Sequence, residues 1–262
     1  VSAERLTHWQ GEPVATWRAL WEVPAFEAYE RIGSTSDRAK DLAAEPGHVF
    51  AVVIAHEQSK GRGRRGASWH SASGSGLWMS VVLPGSTAPA RTPPALHVPL
   101  LVGLAAAEAI QDLSPEVRVG IEWPNDLVVQ GRKLGGILCE GMPDAVVAGI
   151  GINLKTPEDG YPAPIAERAT SLEAEGVPAP SAGRLAGLLV KALKRHVAEP
   201  TEGLSPEALR ELSARDALAA RAVRTEQHGS GTARGIQPDG ALMLERPDGS
   251  RVRVLAGSVR PE

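Results

Sequence analysis

Residues 117–154 read VRVGIEWPNDLVVQGRKLGGILCEGMPDAVVAGIGINL. This stretch decides the fold. It holds four apolar runs of strand length: Val117–Trp123, Leu127–Val129, Lys133–Glu140 and Ala145–Leu154. The links between them, Gln130-Gly131-Arg132 and Met142-Pro143-Asp144 among them, are too short for a crossover helix. Short links favour antiparallel hairpins between consecutive runs.

The flanks add to this sheet. Upstream, Leu96–Leu113 is alanine-rich with helical spacing, which predicts a largely buried helix. Ser86–Pro94 reads as a Pro-rich surface loop. Leu77–Leu83 and Val49–Ala55 are apolar runs of the kind buried on both faces of a sheet. A loop rich in Gly and Arg, Gly61–Ser75, separates them. Ile32–Asp37 leads into a helix through Ala39, Leu42 and Ala43 that stops at Pro46-Gly47. Thr16–Trp21 and Phe26–Glu30 read as short elements covering a core edge. Downstream, Pro157–Pro180 is loop-rich, and Ala182–Val197 and Pro206–Leu212 read as helices. From about Ala217, short strands alternate with Pro238-Asp239-Gly240 and Pro247-Asp248-Gly249 turns, which describes a small antiparallel barrel. A boundary near Ser213 divides the chain into 1–212 and 213–262. The expected class is α+β: a mixed, largely antiparallel sheet with helices on one side, plus a C-terminal β-barrel.

Composition narrows the function. With 262 residues, 42% hydrophobic and 23% charged, the chain can bury a core without disulfides or metal. That excludes a disordered, fibrous or disulfide-stapled protein. The single cysteine, Cys139, suits a reducing compartment and reads as a packing residue. The first ten residues carry Glu4 and Arg5 and no signal-like apolar run. The longest apolar stretch, about Val98 to Ala107, is broken by Pro99 and Gly103 and is too short for a bilayer. A cytoplasmic chain without membrane or DNA partners is expected. Its net charge of −3 is the wrong sign for a dedicated duplex-DNA binder.

Four segments can carry chemistry. Gly61-Arg62-Gly63-Arg64-Arg65-Gly66 matches G-x-G-x-x-G literally, but no helix or acidic residue follows at the dinucleotide-fold spacing. What remains is a flexible loop whose glycines admit a ligand and whose guanidiniums clamp phosphate or carboxylate; the plain alternative is a solvated basic turn. Trp69 beside it can stack on a purine or simply fill a core. Asn125 and Asp126 can cap the turn after Trp123-Pro124, or bind a ribose or Mg²⁺. Lys133, ahead of Gly135-Gly136-Ile137, is a compact charge that can meet a carboxylate and a phosphate together, or an exposed turn lysine. Gly149-Ile150-Gly151-Ile152-Asn153 places two glycines in a strand, again a sign of close approach by a ligand or backbone. The seven histidines show no H-x-x-x-H spacing, and no metal ligands can be named.

Taken in order, Gly33-Ser34-Thr35, Gln58 to Trp69, Trp123 to Asp126, Lys133 to Leu138 and Gly149 to Asn153 resemble the biotin protein ligases. The resemblance extends to Gly231–Ile236 and Asp239–Leu242, which are similar to that family's C-terminal barrel of the Src-homology-3 type. It implies a catalytic fold like that of class II aminoacyl-tRNA synthetases. It implies two reactions: biotin and Mg-ATP give biotinyl-5′-adenylate, then a lysine of a biotin carboxyl carrier domain takes the biotinyl group. Lys133 would touch both carboxylate and α-phosphate, and Arg64 would act with it on the adenylate. Ser34, Thr35, Gln58, Gly61, Arg62, Gly63, Lys133, Gly135, Gly136 and Ile137 would bind biotin. Arg62, Arg64, Trp69, Asn125, Asp126, Lys133 and Asn153 would bind the nucleotide. The arginine loop would close over the product and exclude water.

Two positions depart from the pattern. Glu122 stands where the family often has Lys, and Ala67 where some members have Arg. Members of the family occur as monomers and as dimers. Bifunctional members carry an N-terminal DNA-binding domain; only about 33 residues precede Ser34, so operator binding is not expected. Three alternatives remain. A lipoate or octanoate ligase would show a different arginine loop and a more apolar pocket. A nucleic-acid-binding module would use the arginine loop and the C-terminal barrel. From Ala217 onward, however, seven arginines face five acidic residues. An inactive scaffold with the same fold is a third.

Overall fold

The computed structural model describes residues 3–85 and 95–262. The Pro-rich segment 86–94 lies outside them. Chain order begins with β1 (Glu4–Leu6), the small β2 (His8–Trp9) and β3 (Glu12–Pro13) pair, α1 (Val14–Leu20), β4 (Phe26–Ile32) and α2 (Thr35–Ala43). It continues through β5 (Val52–Gln58), β6 (Gly76–Pro84), α3 (His97–Leu113), β7 (Gly120–Glu122), β8 (Asp126–Val129), β9 (Arg132–Gly141) and β10 (Ala145–Asn153). Then come α4 (Ala163–Ala166), α5 (Ala182–His196) and α6 (Pro206–Arg215). Last are β11 (Ala222–Thr225), β12 (Gly229–Ile236), β13 (Leu242–Glu245), β14 (Arg251–Val254) and β15 (Val259–Pro261).

Eight strands form the main sheet in the order β1-β4-β5-β6-β10-β9-β8-β7. The 117–154 stretch forms the expected run of hairpins, and the β4–β5 pair is parallel, with α2 as its crossover. The β8–β9 hairpin turns on Gln130 and Gly131, both with positive φ, which matches the right-handed twist of the strands. The Val117–Trp123 run is a strand only over β7, because this edge has a single sheet partner, β8. The Val49–Ala55 run is regular strand only from Val52, after Phe50 at φ 67°, although Phe50 N and Ala51 O already bond to Val82.

Alternation along the strands creates two cores. Leu77, Met79, Val81 and Leu83 of β6 face a large core with α1, α3, α5 and α6. Val82 faces the other way, toward Ala39 and Leu42 of α2. The helices therefore do not all lie on one side. Among the described residues, α1, α3, α5 and α6 pack on one face and α2, the crossover between β4 and β5, packs on the other.

Helix α6 runs through Ser213 to Arg215. The strands after it form a five-stranded antiparallel sheet, β14-β13-β12-β11-β15, the small C-terminal β unit expected. Its Asp-Gly turns close as their sequence dictates. Asp239 and Asp248 accept from the amides of Ala241 and Ser250, with Gly240 and Gly249 at positive φ. Trp123 Nε1 donates to Gly240 O at 2.8 Å and ties this unit to the main sheet. Among the described residues no helix is long and apolar enough to cross a membrane.

Candidate active site

A cleft of about 540 Å³ lies on the α2 side of β9 and β10, closed at one edge by the arginine loop and by Glu226, Gly257, Ser258 and Arg260 of the C-terminal sheet. It brings together Ser34, Thr35, Gln58, Arg62, Gly63, Arg64, Trp69, Asn125, Asp126, Lys133, Gly136 and Ile137. Gly61, Gly135 and Asn153 do not line it.

The α2 end is neutral. Ser34 sits at the N-cap but makes no side-chain cap bond. That duty falls to Gln58, whose Oε1 accepts from the Thr35 amide at 2.9 Å and from its hydroxyl at 3.1 Å. Thr35 Oγ1 is 2.7 Å from Ser80 Oγ, which also meets Ser36 Oγ at 3.1 Å. Gln58 Nε2 donates to Ser71 Oγ at 3.0 Å. Ser36, Ser71 and Ser80 were not singled out by sequence. The available signal for Ser80 is its being the one polar residue in the apolar run Leu77–Leu83.

The opposite end is charged. Lys133 donates to Asp126 Oδ2 at 2.6 Å and lies over the Trp69 ring at 5.4 Å. Its backbone is gripped by Arg168 O and the Thr170 amide, beside a bulge at Leu127/Val128. Asp126 Oδ1 is buried without a partner. Arg64 donates to Asn125 Oδ1 at 3.0 Å and to Gly257 O at 3.3 Å. Among the described residues no carboxylate stands within ion-pair distance of it, and burial lowers its pKa. Asn125 also donates to Ile137 O at 2.8 Å, so its amide is committed to the sheet and to Arg64.

Arg62, expected to bind phosphate and biotin, lines the cleft and is paired with carboxylates. Its guanidinium forms a two-pronged pair with Asp37 at 2.7–2.8 Å and reaches Glu140 at 3.2 Å. The hydrogen bond to Arg62 holds the Asp37 carboxyl below its ordinary value. Arg62 thus staples the loop to α2 and β9. The loop itself is a hairpin, closed by bonds from Trp69 N to Gly61 O and from Gly63 N to Ala67 O. Arg65 anchors it on Glu226 at 2.6 Å.

The glycines have distinct reasons. A Cβ on Gly136 or Gly151 would come within 2.9 or 2.5 Å of the Trp69 ring, so the bare strands form the floor on which this indole lies. On Gly61 it would strike Trp69 O at 2.6 Å, and on Gly135 it would strike Gly151 O at 2.6 Å. Those two permit close backbone approach. Asn153 is buried, its amide donating to Thr170 O. Glu122 does not line the cleft; burial raises its carboxyl pKa, with Asp126 adding to the effect. Cys139 packs on the large core, and burial pushes its thiol up to about 12, as befits packing rather than a nucleophile.

A neutral hydrogen-bonding end facing a cationic end suits a polar-headed acid joined to a phosphate. Comparison with known proteins agrees. The Biotin/lipoate A/B protein ligase family model matches residues 28–156, and the Biotin protein ligase C terminal domain model matches 222–260. A biotin–[acetyl-CoA-carboxylase] ligase of Paracoccus denitrificans is 34% identical over 235 residues, covering 85% of this chain and 95% of the relative. One of Mycobacterium tuberculosis is 32% identical over 251 residues, covering 93% and 89%. The structure of the Aquifex aeolicus biotin protein ligase in complex with biotin and ATP superposes with a TM-score of 0.77 at 26% identity, covering 91% of this chain and all of the other. The chain belongs to the biotin protein ligase family.

Proposed function

We propose that this protein activates biotin with ATP to biotinyl-5′-adenylate and transfers the biotinyl group to one lysine of a biotin carboxyl carrier domain, in the cytoplasm. The observation that carries this reading is the two-ended cleft. The hydroxyls and amide at the α2 end match a ureido head. Lys133 and Arg64 stand where a carboxylate and an α-phosphate would meet. Two anions approach in the first step, and cations in a half-buried site offset their repulsion. Lys133 bridges both anions once Asp126 yields it. Arg64, free of carboxylate partners within ion-pair distance among the described residues, holds the adenylate phosphate. Trp69 supplies the stacking face for the base.

Magnesium enters here as part of the substrate, Mg-ATP. Among the described residues no three His, Cys, Asp or Glu side chains cluster as a metal site. Asp126, with its partnerless buried oxygen, is the carboxylate suited to meet an ion carried on phosphates. The lipoate alternative fits the polar α2 end less well. A nucleic-acid module is disfavoured because Arg65, Arg234, Arg251 and Arg253 are each paired with a carboxylate.

The test is transfer itself. With biotin, Mg-ATP and a purified biotin carboxyl carrier domain, one lysine of the carrier should gain one biotinyl mass. An unmodified carrier in the presence of all three refutes the reading.

A further inference from the structure

Ser80 is fully buried at the middle of β6. A hydroxyl in such an apolar run is costly unless it is hydrogen-bonded. Its partners are the hydroxyls of Thr35 and Ser36, both lining the cleft, while Ser80 itself does not.

The protons of this group can be assigned from chemistry. A backbone N–H can only donate, so the Thr35 amide fixes the oxygen side of the Gln58 side chain. The Thr35 hydroxyl then donates to that oxygen, since an oxygen lone pair facing another at 3.1 Å would repel. Ser80 must therefore donate to Thr35, and Ser36 to Ser80. One arrangement satisfies every contact: Ser36 to Ser80 to Thr35 to Gln58, with the Gln58 amide passing on to Ser71. On Thr35 and Gln58 themselves, one lone pair and one amide proton remain unspent. An acceptor and a donor stand side by side, the complement of a ureido N–H and its carbonyl.

We propose that Ser80 is a positioning residue for head-group recognition. By donating to Thr35 it holds that hydroxyl as an acceptor toward a ligand N–H, and the chain of bonds strengthens each member. Without Ser80, the Thr35 proton is held only by an oxygen already engaged by the Thr35 amide, and it can turn into the cleft. This inference rests on the biotin reading.

The test is calorimetric titration of the full chain with biotin and with biotin methylated on a ureido nitrogen. Ser80→Ala should weaken biotin about fivefold, the equivalent of one net hydrogen bond of ~1 kcal/mol. Its preference for biotin over the methylated analogue should shrink by the same factor. The kcat at saturating biotin should stay within about twofold. Ser80→Thr, which keeps the hydroxyl, should restore the preference. If Ser80→Ala does not fold, Ser36→Ala removes the first donor and should shrink the preference about twofold. A merely structural lesion weakens both ligands alike, so an unchanged preference overturns the proposal. A wild-type chain that binds no biotin refutes the ligase reading instead.

Discussion

At the α2 end of the cleft the side chains are neutral and mostly buried, and Thr35 is bonded both to Gln58 and to Ser80 behind it. At the other end they are long, charged and partly exposed. They arrive from the arginine loop, from β9 and from the C-terminal sheet. Lys133, Arg62 and Arg65 are each held by a carboxylate, whereas Arg64 is held by an amide and a carbonyl. The first end is preorganised and has little to rearrange, which suits recognition of a fixed polar head. The second must exchange partners when anions enter, which suits chemistry and closure.

Substitutions at the two ends should separate these roles. The largest effect should come from Lys133→Ala, with adenylate formation slowed about 10³-fold, or ~4 kcal/mol, measured in a single turnover. A loss of less than about tenfold would place the bridging cation elsewhere. Next, Arg64→Gly should release adenylate about tenfold faster or more, and biotinylate lysines of bystander proteins. Equal retention by mutant and wild type counts against the lid role. Gly151→Val should drive a side chain into the Trp69 indole at a cost of ~1–3 kcal/mol, read as a lower melting temperature. An unchanged melt would show that the indole moves freely off its floor.

The smallest effect concerns the tether to the C-terminal sheet. Arg65, with Ser258, holds the Glu226 carboxyl down to about 2. A carboxyl whose folded value is lowered contributes above its ordinary range and loses that contribution as pH falls through the folded value. The difference in melting temperature between wild type and Glu226→Gln should be small near neutrality, since the pair is exposed. It should narrow as pH drops from about 5 toward about 2. A constant difference across that range would mean that the charge is not what matters.

The hairpin run of 117–154 was readable because strand-length apolar runs and short links leave little freedom. The placement of α2 on the opposite face was not, because local periodicity does not say which face a crossover takes. Long-range pairings were likewise hidden. The pairing of Arg62 with Asp37 and Glu140 could not be read locally, because those partners lie 25 and 78 positions away. Ser80 meets Thr35 across 45 positions, and a lone serine in a strand reads as unremarkable. The contribution of Glu226, Gly257 and Arg260 to the cleft carried no motif at all.

The most direct test of the account is formation of the acyl-adenylate. The purified chain is mixed with Mg-ATP and either biotin or lipoate, and the products are weighed by mass spectrometry. The account predicts biotinyl-adenylate with wild type, no lipoyl-adenylate, and loss of the signal in Lys133→Ala. No adenylate from biotin, or an undiminished yield without Lys133, would contradict it.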